Sequence, residues 1–384
     1  MSRPIKVLFS ARDPGAVGHA LALIDAFQRD RRFEVSVTAG GVALRMLRDA
    51  GVAVRPFALS NGREYLADPK EDTAALLAAA RRVLDEIRPD AVISSLSSFG
   101  VGVDEALLAT ADVPTFAMQD FWGDVNLGLR VPAGLYLALD EEAVRLTEER
   151  WGARALAVGS PKHSRYANLD IAGIRREARG SIGVKDEEAL VGFFGQAPDI
   201  PGHEATFREL LDAATRLVPQ PRLLLREHPK FTQHAERHVS LARQAGITVT
   251  DITAESLVER WLVACDVVAT PYSACALDHA YLSAFSPEPI GVVLYLVCNP
   301  EIRAFMQEVC GFDRFPTAKK GIGLVAEKPN EILPLLQDAL TPEGRTGYFK
   351  ASKQLRVGNP CQTVMETVAA GVTATVQAGG SGVC

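Results

Sequence analysis

The chain has no excess of positive charge, no C-x-x-C pair, no G-x-G-x-x-G loop and no hydrophobic run of bilayer-spanning length. Each absence excludes something. A formal net charge of −6 argues against nucleic acid as a partner, because phosphate backbones demand a basic face; a local basic pocket for one phosphate or diphosphate stays compatible with it. The six cysteines at 265, 275, 298, 310, 361 and 384 are scattered, with no histidine at zinc spacing. Three lie in apolar runs and read as small core residues, the usage of a reducing cytoplasm. Met1-Ser-Arg-Pro-Ile-Lys6 leads directly into a strand without the apolar core of a signal peptide. The most apolar segment, Pro289 to Pro300, falls short of the roughly 18 residues a membrane span requires and is expected as a core strand. A cytoplasmic protein with no integral membrane segment is the expectation.

What is present is a regular alternation of strand and helix. The 384 residues, 47% hydrophobic and 23% charged, exceed one ordinary core, so two domains are expected. Ile5–Ser10 reads as a buried strand, 11–16 as a glycine-bearing turn and Val17–Arg29 as a helix, the entry to a Rossmann-like unit. Strands follow at 33–39, 52–56, 90–95, 113–118, 135–139 and 155–158, with helices at 42–50, 73–87, 104–110 and 141–151 between them. Ser60 to Asp72 has no apolar period and reads as a loop. A second series begins after Gly159-Ser160-Pro161, with strands at 190–195, from 223, 247–250, 267–269, 290–297 and 322–325. Its helices fall at 171–180, 203–217, 231–245, 256–264, 274–284, 301–309 and 329–340. Continuous apolar runs and intervening helices predict parallel sheets covered on both faces. The expected division is residues 1–158 as an N-terminal, acceptor-side domain and 159–345 as a nucleotide-donor domain, then a helical segment at 346–370 and a loose tail at 371–384.

Two polar strand ends stand out. Leu223-Leu-Leu runs into Arg226-Glu227-His228-Pro229-Lys230, and Val267-Val-Ala runs into Thr270-Pro-Tyr-Ser273 ahead of the helix that carries Asp278. In open α/β sheets, ligands bind beyond the carboxyl ends of strands. The first turn lacks the G-x-G-x-x-G spacing and no clear ribose-binding acid follows about 20 positions on, so a nicotinamide or flavin dinucleotide is not expected.

A His-Pro pair after one strand and a Ser-bearing start to a later helix resemble the GT-B glycosyltransferases. The likeness is to the bacterial sialyl- and polysialyltransferases and to CDP-glycerol glycerophosphotransferase-like proteins. The match covers roughly residues 190 to 285; the adjacent Ser-Ser of those families is absent, and the N-terminal half matches in architecture only. The resemblance implies two Rossmann-like domains facing a cleft. It also implies metal-independent transfer of a sugar or polyol phosphate from a CMP-, CDP- or UDP-linked donor to an acceptor, with no further cofactor. A homodimer is the assembly considered. A nucleotide-sugar epimerase or hydrolase of the UDP-N-acetylglucosamine 2-epimerase type and a non-catalytic nucleotide-sugar-binding protein are the alternatives; Ser-Gly-Gly followed by paired glutamates is missing.

Such a transferase holds a nucleotide, neutralises a departing phosphate and deprotonates a hydroxyl. The helix start at Ser273 offers free N–H groups and a favourable dipole to an anion. His228 offers a hydrogen bond or a proton, and Arg226 and Lys230 offer charge. Gly195, Gln196, Glu227, Pro229, Thr270 and Asp278 complete the expected donor site. The base is expected from the first domain, Asp13 on the first turn or Asp120 on the loop after residues 113–118. His19, Phe121, Trp122 and Asp124 are the expected acceptor contacts, since an aromatic plane beside carboxylates suits a sugar.

Overall fold

The computed structural model describes residues 3–59, 62–68, 70–97, 100–125, 127–196, 202–228, 232–255, 257–356 and 358–380. The chain divides into two compact units, Met1–Arg165 with Gly358–Cys384, and Tyr166–Val357.

In the first unit, β1 (Ile5–Ala11), β2 (Phe33–Ala39), β3 (Arg55–Pro56), β4 (Ala91–Ser95), β5 (Thr115–Met118), β6 (Leu135–Ala138) and β7 (Ala155–Ala157) form one parallel sheet. Its order is β3-β2-β1-β4-β5-β6-β7. Alternation along β1 sends Leu8 to a cluster with Leu76, Ala80 and Val83 of the helix Ala74–Ile87. Phe9, on the opposite face, packs edge-on at 5.3 Å against Phe27 of the helix Pro14–Arg29. Both faces of the sheet are thus covered, which is why β1 and β4 read as unbroken apolar runs.

The second unit holds β8 (Leu190–Phe194), β9 (Arg222–Arg226), β10 (Val249–Asp251), β11 (Val267–Thr270), β12 (Val292–Leu296) and β13 (Leu324–Ala326). The order is β10-β9-β8-β11-β12-β13, again all parallel. In each sheet the strand order reverses beside the first strand, at β1/β4 and at β8/β11.

Four expectations are corrected. The strand over 52–56 shrinks to Arg55–Pro56, an edge position suited to a proline that has no N–H to donate. The helix expected over 231–245 is regular only over Ala235–Gln244, after a 3-10 turn at Thr232–His234; Phe231 lies outside the described residues. The crossing between units comes at Arg165 rather than at 158, because the side chain of Lys162 lies against Gly18 within the first unit. The segment expected as a loose tail from 371 is helical to Gly380 within the helix Pro360–Gly380. Val364 and Val368, one turn apart and fully buried, anchor that helix. Arg32 pairs with Glu366 at 2.9 Å, and Gly371 lies where a Cβ would come within 2.9 Å of the Phe116 ring. The last helix is therefore part of the first unit, and the helix Pro342–Ser352 is part of the second.

The second unit is tied together at the buried Asp266, one residue before β11. Its carboxylate accepts from Arg175 at 2.6 Å, Arg179 at 3.2 Å, Arg345 at 3.3 Å and the Leu190 N–H at 2.8 Å. One side chain thereby joins the start of β8, the helix Ile171–Ser181 and the helix Pro342–Ser352. Removing one partner of a buried ion pair leaves an uncompensated charge. Asp266→Ala is expected to destabilise the protein by about 3–5 kcal/mol, read as a lowered urea midpoint.

Candidate functional site

The carboxyl edge of the second sheet brings three strand ends side by side. Phe194↔Arg226 and Phe193↔Ala269 are in register, so β8, β9 and β11 finish at one level. With strands about 4.8 Å apart, the segments carrying His228 and Ser273 leave the sheet about 10 Å from each other, on either side of Gly195-Gln196. Thr270 Oγ1 donates to the Phe194 carbonyl at 2.7 Å and accepts from the Ser273 N–H at 3.1 Å. That fixes the turn from which the helix Ala274–Phe285 starts. Ser273 is its N-cap and accepts from the Cys275 N–H at 3.3 Å. Gln196 is buried, and its Nε2 has no hydrogen-bond partner among the described residues. His228 is half-buried on this edge, whereas Pro229 and Lys230 lie outside the described residues.

Three expected donor contacts are placed differently. The Thr270 hydroxyl is used in the turn and positions Ser273 instead of facing a ligand. Asp278 lies in the second turn of its helix rather than the first, and is buried. Glu227 is fully buried, with His238 Nδ1 at 2.5 Å from Oε1 and His203 Nε2 at 3.5 Å from Oε2. Burial alone would raise its carboxyl, but the two imidazoles beside it hold it down at about 2. Gly195 is required here, because a Cβ would come within 2.8 Å of Glu227 Oε2. His203, Glu227 and His238 form a group of metal-ligating type among the described residues, although no metal was expected.

In the first unit, the carboxyl edge near the β1/β4 reversal is acidic. Asp13 is the N-cap residue of the helix Pro14–Arg29, half-buried, and its side chain makes no cap hydrogen bond. Asp120 follows β5 and lies so close to the same helix that a Cβ on Gly15 would be 2.8 Å from Oδ2. Burial, then the like charge of Asp124, pushes the half-buried Asp120 up to about 7 against the pull of Lys162, and Asp13 adds to the rise. The sequence reading missed Asp104 and Glu105 as site candidates. They open the helix Val103–Thr110, where acids suit the dipole, and nothing in the pattern shows that both are buried. Asp104 accepts from Ser10 at 2.6 Å and Ser97 at 2.8 Å, and Glu105 accepts from the Gly102 N–H at 2.6 Å. Burial raises Asp104 to about 6 despite those serines and Arg12; burial and the Asp104 charge raise Glu105 to about 7.

The expected acceptor contacts divide. Trp122 is 3% exposed, so it anchors its loop and offers no open face. The loop is further held by Gln119, which donates to the Asp124 carbonyl at 2.9 Å, and by Trp151, which donates to the Gly123 carbonyl at 3.0 Å. Phe121 is half-buried, packed edge-on at 5.3 Å against Trp122, and Asp124 is exposed. His19 is buried on the inner face of its helix, 6.1 Å from the ring of His163, and His163 Nδ1 shares a 2.6 Å hydrogen bond with Ser160.

Asp104, Glu105 and Asp120 carry folded-state pKa values above those of the unfolded chain. Between about pH 4 and 7 the native protein therefore binds more protons than the unfolded one, and stability falls as pH rises through that window. Glu227 has the opposite sign, but its effect is confined to pH below about 4.5. Urea midpoints at pH 8 are expected to lie below those at pH 5, and Asp120→Asn is expected to narrow the difference.

No family model and no curated protein matches the chain. Solved structures do. A UDP-GlcNAc 2-epimerase from Neisseria meningitidis, bound to UDP-GlcNAc, matches with a TM-score of 0.68 at 13% identity, over 95% of this chain and 100% of that one. Anabaena Alr3699/HepE, in complex with UDP and glucose, matches with 0.61 at 15%, over 95% and 100%. Acinetobacter baumannii MurG matches with 0.59 at 16%, over 95% and 99%. The chain accordingly has the GT-B type of fold, two parallel-sheet α/β domains of seven and six strands.

Proposed function

We propose that the protein is a metal-independent enzyme of nucleotide sugars, transferring a sugar or polyol phosphate from a pyrimidine-nucleotide donor to an acceptor hydroxyl. The observation that carries this reading is the strand-order reversal at β8/β11, where His228, Gln196 and the Ser273-capped start of a twelve-residue helix share one sheet edge. The positive dipole end of that helix suits a diphosphate, and His228 supplies a directed hydrogen bond to it. In sequence, the His228-Pro229 pair resembles the sialyl- and glycerophosphotransferase families. The UDP-GlcNAc bound to the Neisseria epimerase and the UDP and glucose bound to Alr3699/HepE support the same ligand class.

Asp120 is the proposed base. A group whose pKa lies near the working pH combines availability with proton-transfer driving force, and Asp120 stands at about 7. Asp13 contributes negative charge that keeps it there. The mechanism then has three parts: the second unit binds the nucleotide, the helix start and His228 stabilise the departing phosphate, and Asp120 takes the acceptor proton.

An epimerase reading has its own support. Asp104 and Glu105 sit near neutral pKa on the same sheet edge, as proton exchange at a sugar carbon requires, and a UDP-GlcNAc 2-epimerase is among the structural neighbours. Incubating the protein with UDP-GlcNAc in D2O separates the two. Deuterium at the sugar C2 without an acceptor establishes epimerisation; nucleotide release only when an acceptor is supplied establishes transfer.

Loss of one charge-assisted hydrogen bond is worth about 1.5–3 kcal/mol. His228→Ala is therefore expected to weaken binding of the preferred nucleotide about 10–100-fold, measured by calorimetry across CMP, CDP, UDP and dTDP. Asp120→Asn is expected to lower kcat by about 10²–10⁴ with nucleotide affinity unchanged. With Asp120 as base, kcat/KM should rise with pH through about 7, and the variant should lose that limb.

A further inference from the structure

His203, Glu227 and His238 lie outside the chemistry assigned above. His203 is the first residue of the helix His203–Thr215, Glu227 directly follows β9, and His238 belongs to the helix Ala235–Gln244. Their exposures are 3%, 0% and 2%, and one ligand atom from each lies within 4.8 Å of the others. The surround is aromatic: Phe193 is 5.6 Å from the His203 ring, and Phe207 is 4.8 Å from that of His238.

Burial of this kind is costly unless polar atoms are satisfied. Among the described residues, neither ring nitrogen of His203 makes a hydrogen bond, and neither does Glu227 Oε2. The two approach each other at 3.5 Å, close to the spacing of two ligands on one tetrahedral ion with bonds of about 2.0–2.2 Å. His238 Nδ1, at 2.5 Å from Oε1, has to swing outward slightly to join them. Two imidazoles and a carboxylate are a donor set suited to zinc and its neighbours. Gly195 leaves the space that Glu227 Oε2 occupies.

We propose that His203, Glu227 and His238 bind a divalent transition-metal cation of the zinc class as a structural centre at the ends of β8 and β9. The cation joins two helices to the strand end that carries His228, and so fixes the backbone from which that residue projects. It takes no part in the proposed transfer, and the site stands whether or not that reading of function holds.

The test uses the full chain, stripped with chelator and dialysed against Zn(II), with bound metal counted by mass spectrometry. One zinc per chain is expected, with a raised Tm. X-ray absorption should report only nitrogen and oxygen ligands, with imidazole among them. His203→Gln and Glu227→Gln are each expected to weaken zinc binding by more than the roughly 10–100-fold typical of outer partners, while His234→Asn leaves it unchanged. Co(II) loaded into the unaltered protein gives a readout independent of whether the variants fold: intense visible bands of a four- or five-coordinate nitrogen/oxygen site are expected. Absence of retained zinc, sulfur ligation, or equal stoichiometry in folded His203→Gln overturns the proposal, leaving Glu227 as a carboxylate clamp between two histidines.

Discussion

The second sheet depends on the seam between β8 and β11 being fastened at both ends. At the amino end, Asp266 accepts the Leu190 N–H along with three guanidinium groups. At the carboxyl end, Thr270 spans from the Phe194 carbonyl to the Ser273 N–H. Between them the ladder runs in register, Val267↔Val191 to Ala269↔Phe193. Gly192 belongs to the same fastening, since a Cβ there would meet Cys265 Sγ at 2.6 Å. With the strands fixed, the loops after them separate in opposite directions, which is how an order reversal opens a crevice in an α/β sheet. The polar residues beyond the seam inherit their positions from it.

The first unit meets a different electrostatic problem. Asp104, Glu105 and Asp120 are drawn away from water near the same sheet edge, with Arg12 and Lys162 as the opposing charges. Serine hydroxyls and a backbone N–H satisfy two of the carboxylates without neutralising them. Desolvation outweighs those contacts, so the acids stand near neutrality. Proton-transfer groups are commonly prepared in this manner.

The alternation of strands and helices was legible because buried parallel strands are continuous apolar runs, and the helices between them carry period and stop signals. Pro14, Gly152 and Gly311 sit at helix ends, as their backbone preferences require. The strand ends at Gln196, His228 and Ser273 were legible for the same reason. Contacts between distant segments were not. Glu227 reads as a loop carboxylate until the fold brings His203 and His238 to it from two separate helices. Trp122 reads as a sugar platform because its burial is set by the elements above it and not by its neighbours in sequence. The far half of the final helix was hidden by composition: from 371 on, Gly, Ala and Val without a strong period give little amphipathic signal, and the buried Val364, Met365 and Val368 that show which side is covered all precede it.

That final helix bears on how the molecule is made. The first unit takes its sheet from the beginning of the chain and its last covering helix from residues after Gly358. During synthesis the second unit is finished and free to fold while Phe116 and Arg32 still await the helix that will lie against them. The earliest-made half is thus the last to be completed, and its apolar flank stays uncovered on the ribosome for nearly two hundred residues.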